Sequence, residues 1–206
     1  KTLPGISATL CDVSNLEQVE QLFTDVDRQL GGLDVLVNNA GMSPLYPSLS
    51  DVSEELFDKV IGVNLKGPFR LSTNIGTRMV AAGTGSIINV SSISSHRPSP
   101  NEAPYAAAKA GINSLTKSLA AAFGPKVRVN CIVPGPFLTD ISKAWDLPTF
   151  TEHAKSAYAL GRGGDLEAAD GRPGLAAGRV VRVVGPGAPL GERAEQAARA
   201  RLEDEA

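Results

Sequence analysis

Short apolar runs rich in β-branched residues alternate along the chain with longer helical patterns, and this alternation constrains the fold more than any other feature. The strand-like runs are residues 6–13, 33–38, 85–91 and 127–133. The helical patterns between and after them cover about residues 15–30, 53–82 and 103–123. Strands and helices that alternate at this spacing build βαβ units. The sequence therefore predicts an α/β protein with a doubly wound parallel sheet and helices on its faces.

Small and hydrogen-bonding residues follow the predicted strands at their carboxyl ends. They are Asp12, Asn38, Asn39, Ala40, Gly41, Ser91, Ser92, Pro134 and Gly135. In a parallel sheet these ends meet at one edge, where α/β proteins bind their ligands. Turn formation alone accounts for the glycines and prolines. It does not account for a serine that can converge with a nearby tyrosine and lysine, so this edge is the predicted site.

Tyr105 and Lys109 lie four residues apart in an alanine-rich segment that is predicted to be helical. This spacing puts both side chains on one face of the helix, one turn apart. A free phenol has a pKa near 10, and a neighbouring ammonium favours the phenolate. The pair is therefore predicted to lower the pKa of Tyr105 so that it exchanges a proton with an alcohol or carbonyl oxygen. Ser92 would orient the same oxygen, and Asn64 would hold a water that connects Lys109 to solvent.

Four motifs occur in one order along the chain: NNAG at 38–41, VNLKG at 63–67, Ser92 followed by Tyr105-x-x-x-Lys109, and PGPFLTD at 134–140. In this order and at this spacing the chain resembles the short-chain dehydrogenase/reductase family over residues 6–164. The resemblance implies a Rossmann-like fold and an NAD(P)-dependent oxidoreductase. Such an enzyme transfers a hydride between a nicotinamide cofactor, NAD or NADP, and a ketone or secondary alcohol. A 3-oxoacyl thioester and a sugar or polyol are examples of such substrates.

The resemblance also implies roles for individual residues. The catalytic residues would be Asn64, Ser92, Tyr105 and Lys109. The cofactor would be bound by Tyr105 and Lys109 together with Asp12, Val13, Asn38, Ala40, Gly41, Pro134, Gly135 and Thr139. In this assignment Asp12 contacts the adenine ring, and residues 134–139 close on the nicotinamide carboxamide.

Each assignment has a structural alternative. Tyr105 would then be a half-buried packing residue, Ser92 a turn residue at a strand end and Asn64 an amide on a helix surface. Asp12 would help to start the following helix, and Asn38 would tie neighbouring strands together. Ser91 stands next to Ser92, and the spacing to the tyrosine favours Ser92.

The chain departs from the family at both ends. A glycine-rich TGxxxGxG turn, which would cradle the cofactor pyrophosphate, does not occur in these residues. We therefore expect a partial Rossmann-type domain over residues 1–164 that is incomplete at the N-terminus. Residues 165–206 are expected to form an atypical tail, flexible or poorly packed, with a strand near 179–184 and a polar helix near 192–205. The alternative function is a truncated, catalytically inactive relative that acts at most as a non-catalytic partner subunit. Without the pyrophosphate cradle, such a chain is expected to bind NAD(P) weakly or not at all and to show negligible turnover.

Composition excludes other classes of function. The net charge is −2 without a basic patch, which argues against nucleic-acid binding, and no apolar run has the length of a membrane span. The two cysteines and two histidines are isolated, which predicts reduced thiols and no metal site. We expect a cytoplasmic protein that binds a small carbonyl or alcohol substrate. The resemblance implies a homodimer or homotetramer for the intact parent.

Overall fold

The helices and strands follow one another in the alternating order that the sequence predicts. The computed structural model describes residues 8–138, 146–158, 161–164 and 180–183. Its main elements are α1 (Leu16–Leu30), β1 (Val35–Asn38), α2 (Glu54–Ile61), α3 (Gly67–Ala82), β2 (Gly85–Val90), α4 (Ala103–Phe123), β3 (Val127–Ile132), α5 (Leu147–Ala157) and β4 (Val180–Val183). A π-helical turn, Gly62–Lys66, connects α2 to α3.

The described strands form one parallel sheet in the order β3-β2-β1-β4. Residues of β1 pair with β2 from Val35 opposite Ser86 to Asn38 opposite Asn89. The strand β4 lies on the other side of β1, with Val180 opposite Val35. This parallel sheet with flanking helices confirms the predicted α/β class.

Helix α1 shows how local sequence defines an element. The Asn15 side chain accepts a hydrogen bond from the backbone N–H of Gln18 and thereby caps the N-terminus. Its buried residues are spaced to form one apolar face: Val19, Leu22, Phe23 and Val26. The helix ends at Gly31, whose φ of 64° is a left-handed conformation that glycine adopts without strain.

The hydrophobic core lies between the sheet and the helices on one of its faces. It combines the apolar face of α1 with buried residues of the strands and of α3 and α4, among them Leu36, Leu71, Ile75, Met79, Ile87, Leu119, Val127 and Val129. The strand residues point alternately into this core, as the period of a strand requires. Asn38 and Asn89 point to the same side at the carboxyl ends of their strands and are both buried.

Three sequence predictions differ from the structure. Residues 8–13 form no strand, and residues 1–7 lie outside the described part. A strand needs a hydrogen-bonded neighbour, and residues 8–13 pair with none of the described strands. The single helix predicted over 53–82 is interrupted by the π-helical turn, and helix α5 was not predicted. The strand expected near 179–184 is confirmed as β4, while the helix expected near 192–205 lies outside the described residues.

Candidate active site

The order of the strands locates the candidate site. The chain proceeds from β1 to β2 to β3 in one direction across the sheet, and β4 lies on the opposite side of β1. The strand order therefore reverses at β1. In open α/β sheets, ligands bind outside the carboxyl ends of the strands at such a point. The residues that follow β1, β2 and β3 at this edge are those that the sequence had indicated.

Tyr105 and Lys109 lie on the first turns of α4, as predicted. The Lys109 Nζ atom is 5.5 Å from the centre of the Tyr105 ring. Only 4% of Lys109 is exposed, and its Nζ donates a hydrogen bond of 2.8 Å to the carbonyl oxygen of Val90, the last residue of β2. A backbone carbonyl thus fixes the ammonium beneath the phenol, at the end of the strand.

The two serines after β2 have different environments. Ser91 is buried, and its Oγ donates to the backbone carbonyl of Lys109 at 3.0 Å. Ser92 is half-buried; its hydroxyl donates to Ser94 Oγ at 3.2 Å and lies close enough to Tyr105 to lower the pKa of the phenol. Its Oγ also accepts from the backbone N–H of Ser94. Ser91 therefore holds α4 against the strand, whereas Ser92 is the serine beside the Tyr105 phenol, as the spacing between Ser92 and Tyr105 predicted.

The pKa of Tyr105 differs from the sequence prediction. Burial raises this pKa above its ordinary value of 10.0, the hydrogen bond from Ser92 opposes the rise, and the charge of Glu102 adds to it. The net lowering that the sequence predicted is therefore wrong, because burial is the largest contribution to the pKa of Tyr105. Burial also lowers the pKa of Lys109 to about 8, an effect that Cys131 partly offsets. At neutral pH the site therefore holds a neutral phenol above a protonated amine. This state suits proton donation.

Asn64 lies in the π-helical turn, not on a helix surface, and none of it is exposed. The N–H of Gly67 bonds to the carbonyl of Gly62, five residues earlier. The Asn64 Nδ2 donates to the carbonyl oxygens of Val60 and Met42, both at 2.9 Å, and its Oδ1 accepts from the Met42 N–H at 3.2 Å. The side chain therefore holds the segment after β1. π-Turns of this kind are frequent at functional sites.

Gly41 lies between Asn64 and Lys109. A Cβ atom at this position would come within 3.1 Å of Asn64 Oδ1 and 3.5 Å of Lys109 Nζ. Glycine therefore leaves space beside the lysine that any other residue would reduce. Ala40, just before it, is buried.

Asn38 belongs to a buried hydrogen-bond network that sequence reasoning found only in part. Its Nδ2 donates to Ser72 Oγ on α3 and to Asn89 Oδ1 on β2, both at 2.8 Å. Asn89 donates in turn to Thr116 Oγ1 on α4 at 2.9 Å. The contacts of Asn38 thus match its structural alternative, in which it ties neighbouring strands together. The sequence held an indication of the role of Asn89, because it is a polar residue within an otherwise apolar predicted strand.

Asp12 makes contacts that match its structural alternative. One carboxylate oxygen accepts hydrogen bonds from the N–H and the hydroxyl of Ser14, at 2.9 and 2.7 Å. The other pairs with Lys59 Nζ at 2.7 Å. Although partial burial raises the pKa of Asp12, the hydrogen bonds of Lys59 and Ser14 lower it below its ordinary value. Val13 is fully buried against Gly67. A cofactor contact by Asp12 or Val13 remains a prediction.

The segment after β3 approaches the site from the other side. The Pro134 carbonyl accepts a hydrogen bond of 2.9 Å from the Ile93 N–H, which joins this segment to the turn that follows Ser92. Gly135 is exposed, and a Cβ atom there would meet no other atom within 4 Å. Thr139 lies outside the described residues. The roles of these three residues in cofactor binding also remain predictions.

Other kinds of site find little support in the described part of the chain. Its His, Cys, Asp and Glu residues form no group that could hold a metal ion. Cys11 is buried and Cys131 is half-buried, and both are free thiols. No described helix combines the length and apolar character that crossing a membrane requires.

Replacing the buried ammonium should change how stability depends on pH. Because the pKa of Lys109 is about 8 in the folded chain against an ordinary 10.5, the unfolded chain binds more protons between these values. The free energy of unfolding of the wild type, relative to Lys109→Met, is therefore expected to rise as pH increases from about 8 to about 10.5. Urea unfolding at a series of pH values measures this difference. Lys117→Met, exposed on the same helix, should show no such rise, and a pH-independent difference for Lys109→Met would contradict the prediction.

Comparison with known proteins decides the family. A family model described as enoyl-(acyl carrier protein) reductase matches residues 2–171. A protein from cattle (Bos taurus) named dehydrogenase/reductase SDR family member 4 is 37% identical over 165 residues. The chain belongs to the short-chain dehydrogenase/reductase family. The match covers 79% of this chain and 59% of the cattle protein. The chain therefore spans less than two thirds of the length of that short-chain dehydrogenase/reductase.

Solved structures of this family share the architecture. A gluconate 5-dehydrogenase from Burkholderia cenocepacia in complex with NADP and tartrate is 29% identical, with a TM-score of 0.71 over 84% of this chain and 72% of that one. A 4-hydroxyisoleucine dehydrogenase complexed with NADH is 33% identical, with a TM-score of 0.73 over 78% of this chain and 67% of that one. At these identities the likeness extends beyond the fold to family membership.

Proposed function

We propose that the protein is an NAD(P)-dependent oxidoreductase that transfers a hydride between a nicotinamide cofactor and a ketone or secondary alcohol. One observation carries the proposal: Ser92 lies beside Tyr105, which in turn lies next to a buried lysine, at the point where the strand order reverses. Such a cluster provides a proton donor, a group that orients an oxygen, and a fixed positive charge. The match to a family of oxidoreductases supports it.

Each of the three residues has a distinct task in this proposal. Tyr105, whose phenol is neutral at pH 7 because its pKa is not lowered from the ordinary 10.0 but raised, donates its proton to the carbonyl oxygen of the substrate. Ser92 binds the same oxygen and holds it against the phenol. Lys109, with a pKa of about 8, remains mostly protonated at neutral pH and stabilises the phenolate that proton donation leaves behind. Oxidation of an alcohol uses the same residues in reverse.

The residues near Lys109 fit the nicotinamide half of the cofactor. Gly41 leaves space beside the ammonium. The Lys109 Nζ donates one hydrogen bond to Val90 and has further N–H donors for a ribose hydroxyl. We propose that Tyr105, Lys109, Gly41 and the Pro134–Gly135 turn hold this half. When bound, the cofactor supplies or accepts the hydride. The relatives complexed with NADP and NADH support both forms as candidates.

The substrate, the oligomeric state and the cellular location of the protein are proposed as broad classes. The family model named for an acyl carrier protein reductase supports an acyl thioester, and the gluconate 5-dehydrogenase supports a sugar acid or polyol. We further propose a homodimer or homotetramer of the intact protein and a cytoplasmic location, as the sequence predicts.

Two measurements test the function. Calorimetry with NADH and NADPH is expected to show binding with a dissociation constant below about 1 mM, the usual range for enzyme ligands. A screen of ketones and alcohols, followed at the nicotinamide absorbance, is expected to find turnover that Tyr105→Phe strongly reduces and Tyr158→Phe retains. Folded protein without binding or turnover would favour the alternative, a catalytically inactive relative that acts as a partner subunit.

A further inference from the structure

Tyr46 connects two distant segments of the chain through a single hydroxyl group. It lies in the segment between β1 and α2, and its ring is half-buried. The Tyr46 Oη donates a hydrogen bond to the carbonyl of Pro100 and accepts one from the N–H of Ala103, each at 2.7 Å. Both partners are more than fifty residues away in sequence. They belong to the 3-10 turn Pro100–Glu102 and to the first residue of α4.

The N-terminus of α4 is not capped by the side chain at its own cap position. The first N–H groups of a helix have no partner within the helix and are usually satisfied by a nearby Ser, Thr, Asp or Asn. Here the residue at the cap position is Glu102, and its side chain makes no capping bond. The Tyr46 hydroxyl satisfies the Ala103 N–H instead. A residue from another part of the fold therefore fixes the start of α4.

The fixed point is close to the candidate catalytic tyrosine. Tyr105 is the second residue after Ala103. The rings of Tyr46 and Tyr105 line the same crevice, whose volume of about 10 Å³ leaves room for no more than about one water. Pro104 and Glu102 also line it. A change in the position of Tyr46 would therefore alter both the first turn of α4 and the surroundings of the phenol.

We propose that Tyr46 is a positioning residue that sets the placement of Tyr105 and couples it to the segment after β1. Its catalytic consequence rests on the proposed function, but the coupling itself does not. Tyr46 touches no reacting atom in this proposal and acts through the start of α4. If the segment that carries Tyr46 shifts when a substrate binds, Tyr105 shifts with it.

The test uses Tyr46→Phe, which removes the hydroxyl and keeps the ring. The chain has three tyrosines, at 46, 105 and 158, so NMR of the chain labelled with 13C at the phenol carbon resolves Tyr105 directly. In Tyr46→Phe the Tyr105 signal is expected to move. Its titration midpoint should fall toward 10, since a looser first turn admits water and weakens the burial that raises the pKa. Where turnover is measured, kcat should fall about tenfold with little change in the KM for the cofactor.

Two control variants make the result specific. Tyr158→Phe identifies the remaining signal and should leave Tyr105 unchanged. Ser99→Ala removes another local bond at the same junction, the one that the Asn101 N–H donates to Ser99 Oγ, and should also leave Tyr105 unchanged. An unchanged Tyr105 signal and titration in Tyr46→Phe would overturn the proposal, even if the melting temperature fell. So would an equal shift in Ser99→Ala. Because the NMR result needs no activity, it stands apart from the outcome for the proposed function.

Discussion

Tyr105→Phe is expected to reduce kcat by a factor of about 100 to 10,000, the usual contribution of a general acid or base. The variant keeps the ring that lines the crevice beside Pro104 and removes only the hydroxyl, which lies beside Ser92. Cofactor binding should weaken much less than turnover, because Lys109, Gly41 and the Pro134–Gly135 turn, which hold the nicotinamide half together with Tyr105 in this proposal, are unchanged. Turnover assays of wild type and variant, with cofactor binding followed by calorimetry, separate the two effects.

The matched control is Tyr158→Phe, since Tyr158 lies at the end of α5 among Phe150 and His153. This variant should retain wild-type turnover. The pH profile provides a second check, because the raised pKa of Tyr105 keeps the phenol protonated through the neutral range. Reduction of a ketone should therefore decline only at alkaline pH. Substantial turnover by Tyr105→Phe would show that another group donates the proton.

Asn89→Ala is expected to lower the free energy of unfolding by about 2–4 kcal/mol. Asn89 is fully buried; its side chain accepts a hydrogen bond from Asn38 and donates one to Thr116. Its loss removes one of the two acceptors of the Asn38 amide and leaves Ser72 Oγ as the other. Each buried polar group that is left unsatisfied costs about 1–3 kcal/mol. The small cavity that remains adds to this cost. Urea unfolding followed by circular dichroism measures the change.

Asn101→Ala is the corresponding control, because residue 101 is exposed, and it should change stability by no more than about 0.5 kcal/mol. A double-mutant cycle with Asn38→Ala tests the network itself. Since each single variant already breaks the shared bond, the effects of Asn38→Ala and Asn89→Ala should sum to more than the effect of the double variant. Strict additivity would mean that the two amides contribute independently.

Local pattern was sufficient to predict most of the described fold. The strand at 127–133 is β3 with one residue fewer, and the helix at 103–123 has the predicted bounds. These elements carry strong local signals, such as the alanine-rich run of α4 and the Gly124-Pro125 pair that follows it. Ser92, Tyr105 and Lys109 also converge as spacing predicted, because adjacent parallel strands and their helices have little freedom in how they meet.

The parts that sequence reasoning missed depend on tertiary contacts. Spacing indicated that an ammonium lies near Tyr105, but not that burial dominates both pKa values. The network through Asn89 and the cap by Tyr46 join residues far apart in sequence, and no local pattern specifies such partners. The strand predicted over 6–13 is absent from its described part, residues 8–13, for a related reason. Its residues have strand propensity, but a strand forms only where a neighbour can pair with it.

The π-helical turn at Gly62–Lys66 makes the number of residues in this stretch as important as their identity. Each residue of an α-helix advances the backbone by about 100°. Deleting one residue here would therefore rotate α3 by about that angle relative to α2. Asn64 could then stay beside Met42 only if Leu71 and Ile75 turned away from the core, where both are now buried. A single extra residue thus lets the site set the rotation of the chain at Asn64 while the core sets the rotation of α3. Substitutions can be absorbed at such a place, but changes of length cannot.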